Sequence, residues 1–106
     1  MEIALGSVIA ERRLRVTGQP ELDVRVRIGT PSPFFDSPHS SYYCPYQITG
    51  LDDSKVKYAG GVDGVQALEL AIRILPAELD ALRQRHPGLG WEDALEGDFG
   101  FVERRL

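Results

Sequence analysis

The stretch GGVDGVQALELAIRIL, residues 60–75, decides how the rest of the chain must be arranged. Asp63 is a favoured N-cap residue, because its carboxylate can accept an amide proton that the first helical turn leaves unpaired. Gln66 stands three positions later. The pair makes a capping box: the Asp63 side chain accepts the Gln66 amide and the Gln66 side chain reaches back. Val62 and Ala67 are spaced for a hydrophobic staple. Beyond the cap, Val65, Leu68, Ile72, Leu75, Leu79 and Leu82 recur at helical spacing with Ala71 among them, while Glu69, Arg73 and Asp80 fall elsewhere. A helix with one apolar face gains most of its stability from whatever covers that face. The cover has to come from upstream.

Pro76 interrupts this pattern. A proline inside a helix removes a hydrogen bond and kinks the chain, yet it is well placed in a first turn. Residues 77–85 resume helical spacing, so the expectation is one kinked helix or two abutting ones, ending at His86-Pro87-Gly88.

Upstream, residues 8–16 alternate between apolar and polar positions apart from Ile9 and Arg12, as a half-buried strand does. Thr17-Gly18-Gln19-Pro20 is turn chemistry. Leu22, Val24, Val26 and Ile28 then alternate with Asp23, Arg25 and Arg27. Matching the apolar faces of this hairpin sets Val16 opposite Leu22, Leu14 opposite Val24 and Ala10 opposite Ile28. The same register sets Arg15 opposite Asp23 and Glu11 opposite Arg27, which is favourable on a solvent face. Two independent patterns thus agree on one register. It also opposes Arg13 with Arg25, a like-charge pair that calls for an anion or a partner.

Residues 29–41, GTPSPFFDSPHSS, form a loop. Phe34 and Phe35 inside it either pin the loop to the core, the commoner case, or present an aromatic pair to a partner. Residues 42–49 and 55–59 read as a second hairpin around Gly50-Leu51-Asp52-Asp53-Ser54. Keeping apolar faces together pairs Ile48 with Val56 and Tyr46 with Tyr58, and leaves Lys55 and Lys57 on the other face. Pro45 has no amide to donate and belongs at a strand start, a bulge or an edge. After the helix, Trp91 opens an acidic tail containing Glu92, Asp93, Glu96, Asp98 and Glu103 before Arg104 and Arg105. Trp91, Leu95, Phe99 and Phe101 are the side chains available to lay it on the core.

The expected fold is therefore one α+β domain: a four-stranded antiparallel sheet of two hairpins, with a long C-terminal helix on one face. The opposite face would carry Arg13, Arg15, Arg25, Arg27, Gln47, Lys55 and Lys57. A chain of 106 residues with 42% hydrophobic and 26% charged residues suits one folded domain. No apolar run reaches membrane-spanning length and residues 1–2 open no signal-peptide pattern, so the expectation is a cytoplasmic protein without membrane contact. A single Cys44 cannot form an internal disulfide, and one cysteine with two histidines is too few for a usual structural zinc site. A formal charge of −4 argues against nonspecific nucleic-acid binding. Nothing calls for a cofactor.

Two strings stand out together: CPYQITG at 44–50 and GGVDGVQALELAI at 60–72. With the earlier AERRL and the later HPGLGW, they resemble a family of small bacterial proteins defined only as a domain of unknown function. The pattern is CPYQI-x-G followed by GVD-x-x-QAL, and the resemblance runs from the first strand to Trp91. It implies no activity and no catalytic residue.

The residues themselves favour interaction over catalysis. A nucleophilic Cys44 would need a base such as His39 or His86 and a positive environment, yet its register points it into the core, where a lone cysteine is usually a small hydrophobe. Asp36, His39, Asp52 and Asp53 lack metal-ligand spacing, and paired aspartates suit a turn. Asp63 and Gln66 are accounted for by capping. An anion at that glycine-preceded helix start would meet the Asp63 charge. The binding candidates are Arg13, Arg25, Arg27, Phe34, Phe35 and Tyr43, and the partner is another protein, as for an immunity protein that neutralises a toxin, or a second copy of the chain. The alternative is a small-molecule or cysteine-dependent site in the crevice between sheet and helix near Cys44.

Overall fold

The computed structural model describes residues 2–34, 41–91 and 99–101. Among these residues the chain forms β1 (Val8–Val16), β2 (Val24–Gly29), β3 (Ser32–Pro33), β4 (Tyr42–Thr49), β5 (Lys57–Gly61), α1 (Gly64–Arg85) and β6 (Leu89–Trp91). The α+β architecture stands, but the single sheet has six strands instead of four. The two additional strands are two and three residues long, too short to show an alternation of their own.

All pairings are antiparallel. Tyr46 pairs with Ile28 on one side and Lys57 on the other, and Tyr43 with Ser32 and Gly60. Hence β2 and β3 share one edge of β4, and β5 takes the other. Pro45 lies at the break between the β2 and β3 ladders, where a missing amide breaks no pair with either. Gly29 faces that break. A Cβ there would fall 2.8 Å from the Pro45 Cγ and still closer to the Leu5 carbonyl, so only glycine fits beside the N-terminal segment. On the far side β6 pairs with the end of β1, Val16 opposite Leu89 and Leu14 opposite Trp91.

The first hairpin has the expected register: Leu14 opposes Val24, Arg13 opposes Arg25, Glu11 opposes Arg27 and Ala10 opposes Ile28. Ile9 breaks the alternation because the register shifts between Val8 and Ala10. Leu22 and Asp23 precede β2, so the expected Val16–Leu22 and Arg15–Asp23 pairs do not belong to the ladder. The second hairpin is displaced by one residue from expectation. Tyr46 opposes Lys57, Pro45 opposes Tyr58 and Cys44 opposes Ala59. A one-residue slip exchanges faces along a strand. Ala59 therefore enters the core, Lys57 turns to the helix side, and Tyr58 turns away from it.

The core lies between the even positions of β1, β2 and β4 and the helix. It contains Leu14, Val16, Val24, Val26, Ile28, Cys44, Tyr46 and Ile48, with Ala59 and Leu89 added from β5 and β6. Helix α1 runs unbroken through Pro76 and ends at the His86 C-cap, so there is one helix and not two. Its buried seam is Ala67, Ala71, Leu75 and Leu79, an i, i+4 row. Leu68, Ile72 and Leu82 flank it half-buried, whereas Val65 is 65% exposed. The expected face was thus rotated. Two alanines let the first turns approach β5 closely, and the leucines fill the wider space beyond.

The cap forms as expected on one side: Gln66 N donates to Asp63 Oδ1 at 2.8 Å. On the other, Gln66 Oε1 accepts from Val62 N at 2.7 Å. Val62 is 72% exposed, so no hydrophobic staple with Ala67 forms, and the Gln66 amide holds the entry to the helix. Leu75→Ala should destabilise the domain by about 2–5 kcal/mol. Val65→Ser should stay within about 0.5 kcal/mol of the parent. Urea unfolding followed by circular dichroism measures both.

Candidate functional site

The sheet face opposite the helix carries the odd positions. Its first feature is a ladder of charge in the β1–β2 hairpin. Glu11 Oε1 accepts from Arg25 Nη1 and Glu11 Oε2 from Arg27 Nε, each at 2.8 Å. Asp23 accepts from Arg25 Nε at 3.2 Å and lies 3.6 Å from Arg13 Nη2. The opposed Arg13 and Arg25 are therefore bridged by Asp23, an anion of the chain itself. The expectation that an outside anion or partner is needed there is corrected: leaving the strand ladder frees Asp23 to reach both arginines. The hydrogen bond from Arg27, aided by Arg25, holds the Glu11 carboxyl below its ordinary value of 4.5 against the opposing effect of desolvation. Arg25 does the same for Asp23 below 3.8. Arg25 in turn is raised, chiefly by Asp23 and then Glu11.

The second feature is aromatic. Ser32 opposes Tyr43, and Pro45 opposes Tyr58, which sets Phe34, Tyr43 and Tyr58 on neighbouring diagonal positions of one face. The ring centroids are 5.0 Å apart for Phe34–Tyr43, 5.7 Å for Phe34–Tyr58 and 6.1 Å for Tyr43–Tyr58, in tilted and edge-on geometry. Phe34 N donates to Ser41 O, which ties the flank of the loop to the strand. Phe34 thus joins an outer cluster and does not reach the core. Tyr58 is 46% exposed and was expected on the core face, so sequence reading missed it. Its signal lay in the next residue, since Ala59 and Gly61 offer a small-residue face that suits close approach by a helix. Phe35, Asp36, His39 and Leu95 lie outside the described residues, as do the acidic tail positions 92–98 and 102–106.

The helix side holds a third arrangement. Tyr46 Oη donates to Glu78 Oε1 at 3.1 Å, and Lys57 Nζ donates to the same oxygen at 3.2 Å. Burial first, and the Glu78 charge second, push the Tyr46 phenol far above its ordinary range, so it keeps its proton. Lys57 was expected on the solvated sheet face; the displaced register of β5 brings it to the helix instead. Asp52 in the β4–β5 turn accepts from Arg85 Nε at 2.7 Å and lies 2.8 Å from His86 Nε2. Those two partners, Arg85 before His86, hold its carboxyl below the ordinary 3.8. A cleft of about 170 Å³ opens between the second half of α1 and β4–β5.

Cys44 is outside this cleft. It is fully buried, its thiol lies 3.6 Å from the Gly29 carbonyl, and burial raises its pKa. His86 is engaged by Asp52. No base stands beside the thiol among the described residues, and the geometry there is that of a packed hydrophobe. Among the described residues no three His, Cys, Asp or Glu side chains gather to hold a metal. No described helix is long and apolar enough to cross a membrane. Arg12, the other break in the β1 alternation, points to the helix side at the far edge. Its guanidinium lies 4.3 Å from the Trp91 ring and 5.0 Å from the Phe101 ring, and Nη1 donates to the Phe99 carbonyl at 3.1 Å. Phe99 is buried there, so Trp91, Phe99 and Phe101 do lay residues 99–101 on the core.

A family model described as a domain of unknown function (DUF6968) matches residues 10–102. The chain belongs to this family. No curated protein and no solved structure matches it. The DUF6968 span takes in α1 and all but the first two residues of the sheet strands, and with them the charge ladder, the aromatic cluster and the cleft.

The charge ladder makes stability depend on acid. Glu11, Asp23 and Asp52 each have a lowered folded pKa, so their contribution is present above the unfolded values and is lost as pH falls through the folded ones. Stability should therefore drop on acidification below the ordinary carboxylate range of 4.5 to 3.8. Glu11→Gln should be less stable than the parent at neutral pH and show a shallower acid decline, measured as melting temperature across a pH series.

Proposed function

We propose that this chain is a non-enzymatic interaction domain of a bacterial cytoplasmic protein, and that it binds another protein through its outer sheet face. The observation that carries this reading is the Phe34–Tyr43–Tyr58 cluster. Three rings, from β4, β5 and the residue that follows β3, meet on the face that the core does not use. Aromatic side chains of this kind are the usual anchors of protein interfaces, because they bring large area at small entropic cost. Arg13, Arg25 and Arg27 lie on the same face and are already matched by carboxylates, which suits them to a polar rim better than to an anion-binding centre. That face carries four arginines, Arg13, Arg15, Arg25 and Arg27, against two carboxylates, Glu11 and Asp23, which favours a partner with an acidic surface. A small domain covering an acidic patch of a toxin, as an immunity protein does, fits that description. The likeness of CPYQITG and GVDGVQAL to small bacterial proteins supports the bacterial setting.

The test is co-expression with the products of adjacent genes, followed by gel filtration and titration of any complex. Tyr58→Ala and Phe34→Ala should each weaken that complex by at least about tenfold while leaving the melting temperature within a few degrees. Unchanged affinity in both variants would remove the aromatic cluster from the interface.

A further inference from the structure

We propose that the cleft between the second half of α1 and the β4–β5 hairpin binds a small carboxylate carrying a short apolar tail. This site is on the helix side of the sheet and is independent of the protein-binding face.

Three properties of the cleft point to that ligand class. Its floor is apolar: Ile48 from β4, with Ala81 and Leu82 from α1, line one side. Its rim is ionic, with Lys55, Lys57 and Arg85 set against Asp53 and Glu78. The volume, about 170 Å³, is well above what a single water needs. A small amphiphile is the natural occupant of a pocket with apolar walls and a few placed charges.

The sign of the head group follows from which charges are already used. Glu78 accepts from both Tyr46 and Lys57. Asp53 accepts the backbone amide of Lys55 at 2.9 Å. Arg85 gives its Nε to Asp52 and keeps its terminal N–H groups, while Lys57 has donors left beyond Glu78. The Lys55 ammonium has no hydrogen-bond or ion-pair partner among the described residues. One oxygen of each carboxylate, Glu78 Oε1 and Asp53 Oδ1, is engaged, and the three cations of the rim outnumber its two carboxylates, so an incoming anion meets net positive charge and the open Lys55 ammonium. The Tyr46–Glu78–Lys57 set fixes the back of the cleft by joining the strand to the helix, leaving the ligand the space nearer Lys55.

The experiment is a titration of the full chain with sodium hexanoate at constant ionic strength, read in ¹H–¹⁵N correlation spectra. Hexanol and hexylammonium chloride serve as controls. Saturable shifts confined to the amides of Ile48, Lys55, Lys57, Ala81 and Leu82 are expected with hexanoate. Lys55→Gln should weaken binding about two- to fivefold, the range of a solvent-exposed ion pair. Ala81→Phe, at an exposed helix position, should block it by filling the floor. Shifts that do not saturate, shifts that fall elsewhere, equal binding of hexanol or hexylammonium, or wild-type affinity in Lys55→Gln would each overturn the proposal. Both variants are surface changes, and an unaltered spectrum at the remaining residues shows that they fold.

Discussion

The structure depends on one close approach. Only Val62 and Asp63 separate β5 from helix α1, and its first turn lies directly over the strand end. A Cβ at Gly61 would stand 2.5 Å from the Ala67 amide nitrogen and 3.0 Å from its Cα. Only glycine in the strand and a small residue in the helix allow the two backbones to meet at that distance. Once they meet, the rest follows in order. Ala59 must face the helix, so Lys57 does too and Tyr58 cannot. The strand register, the seam of the helix and the composition of both sheet faces are all consequences of this contact.

That arrangement divides the sheet between two tasks. On the helix side, side chains that are apolar or tied by the Glu78 carboxylate close the core. On the outer side, Glu11 and Asp23 bridge Arg13, Arg25 and Arg27, and aromatic area is left in reach of solvent. The charge ladder shows how little a residue's sign says about its partner. Arg13 and Arg25 oppose each other across the strands, yet Asp23, placed just outside the strand, supplies the missing carboxylate. Exposed pairs of this kind hold orientation more than they add stability. Their effect here is to leave the arginines fixed in place as polar neighbours of the aromatic cluster.

The first hairpin was legible because two patterns had to agree. Apolar alternation in Leu14, Val24, Val26 and Ile28 and charge complementarity between Glu11 and Arg27 selected the same register, and Leu14 does oppose Val24. The helix cap at Asp63 and the helix end before His86 were legible from local chemistry alone. The second hairpin misled because Val56 and Tyr58 look more apolar than Lys57 and Ala59. What decides between those two sets is the approach of Gly61 to Ala67, which local periodicity does not contain. Tyr58 was lost from the candidate site for the same reason, and so was the Lys57–Glu78 pair. Phe34 and Tyr43 were readable as interface candidates individually; their meeting depends on the two-residue strand at Ser32, which carries no pattern of its own. Family membership adds no chemistry, so function rests on the faces that the fold creates.

The register of β5 is the hinge between the sequence and both candidate surfaces, and it can be observed directly. Interstrand nuclear Overhauser effects in the isotope-labelled chain should connect Cys44 with Ala59 and Tyr46 with Lys57. Finding Tyr46 connected across the ladder to Tyr58, and Ile48 to Val56, would place Tyr58 in the core and Lys57 on the outer face. That outcome would dissolve the aromatic cluster and the helix-side cleft together.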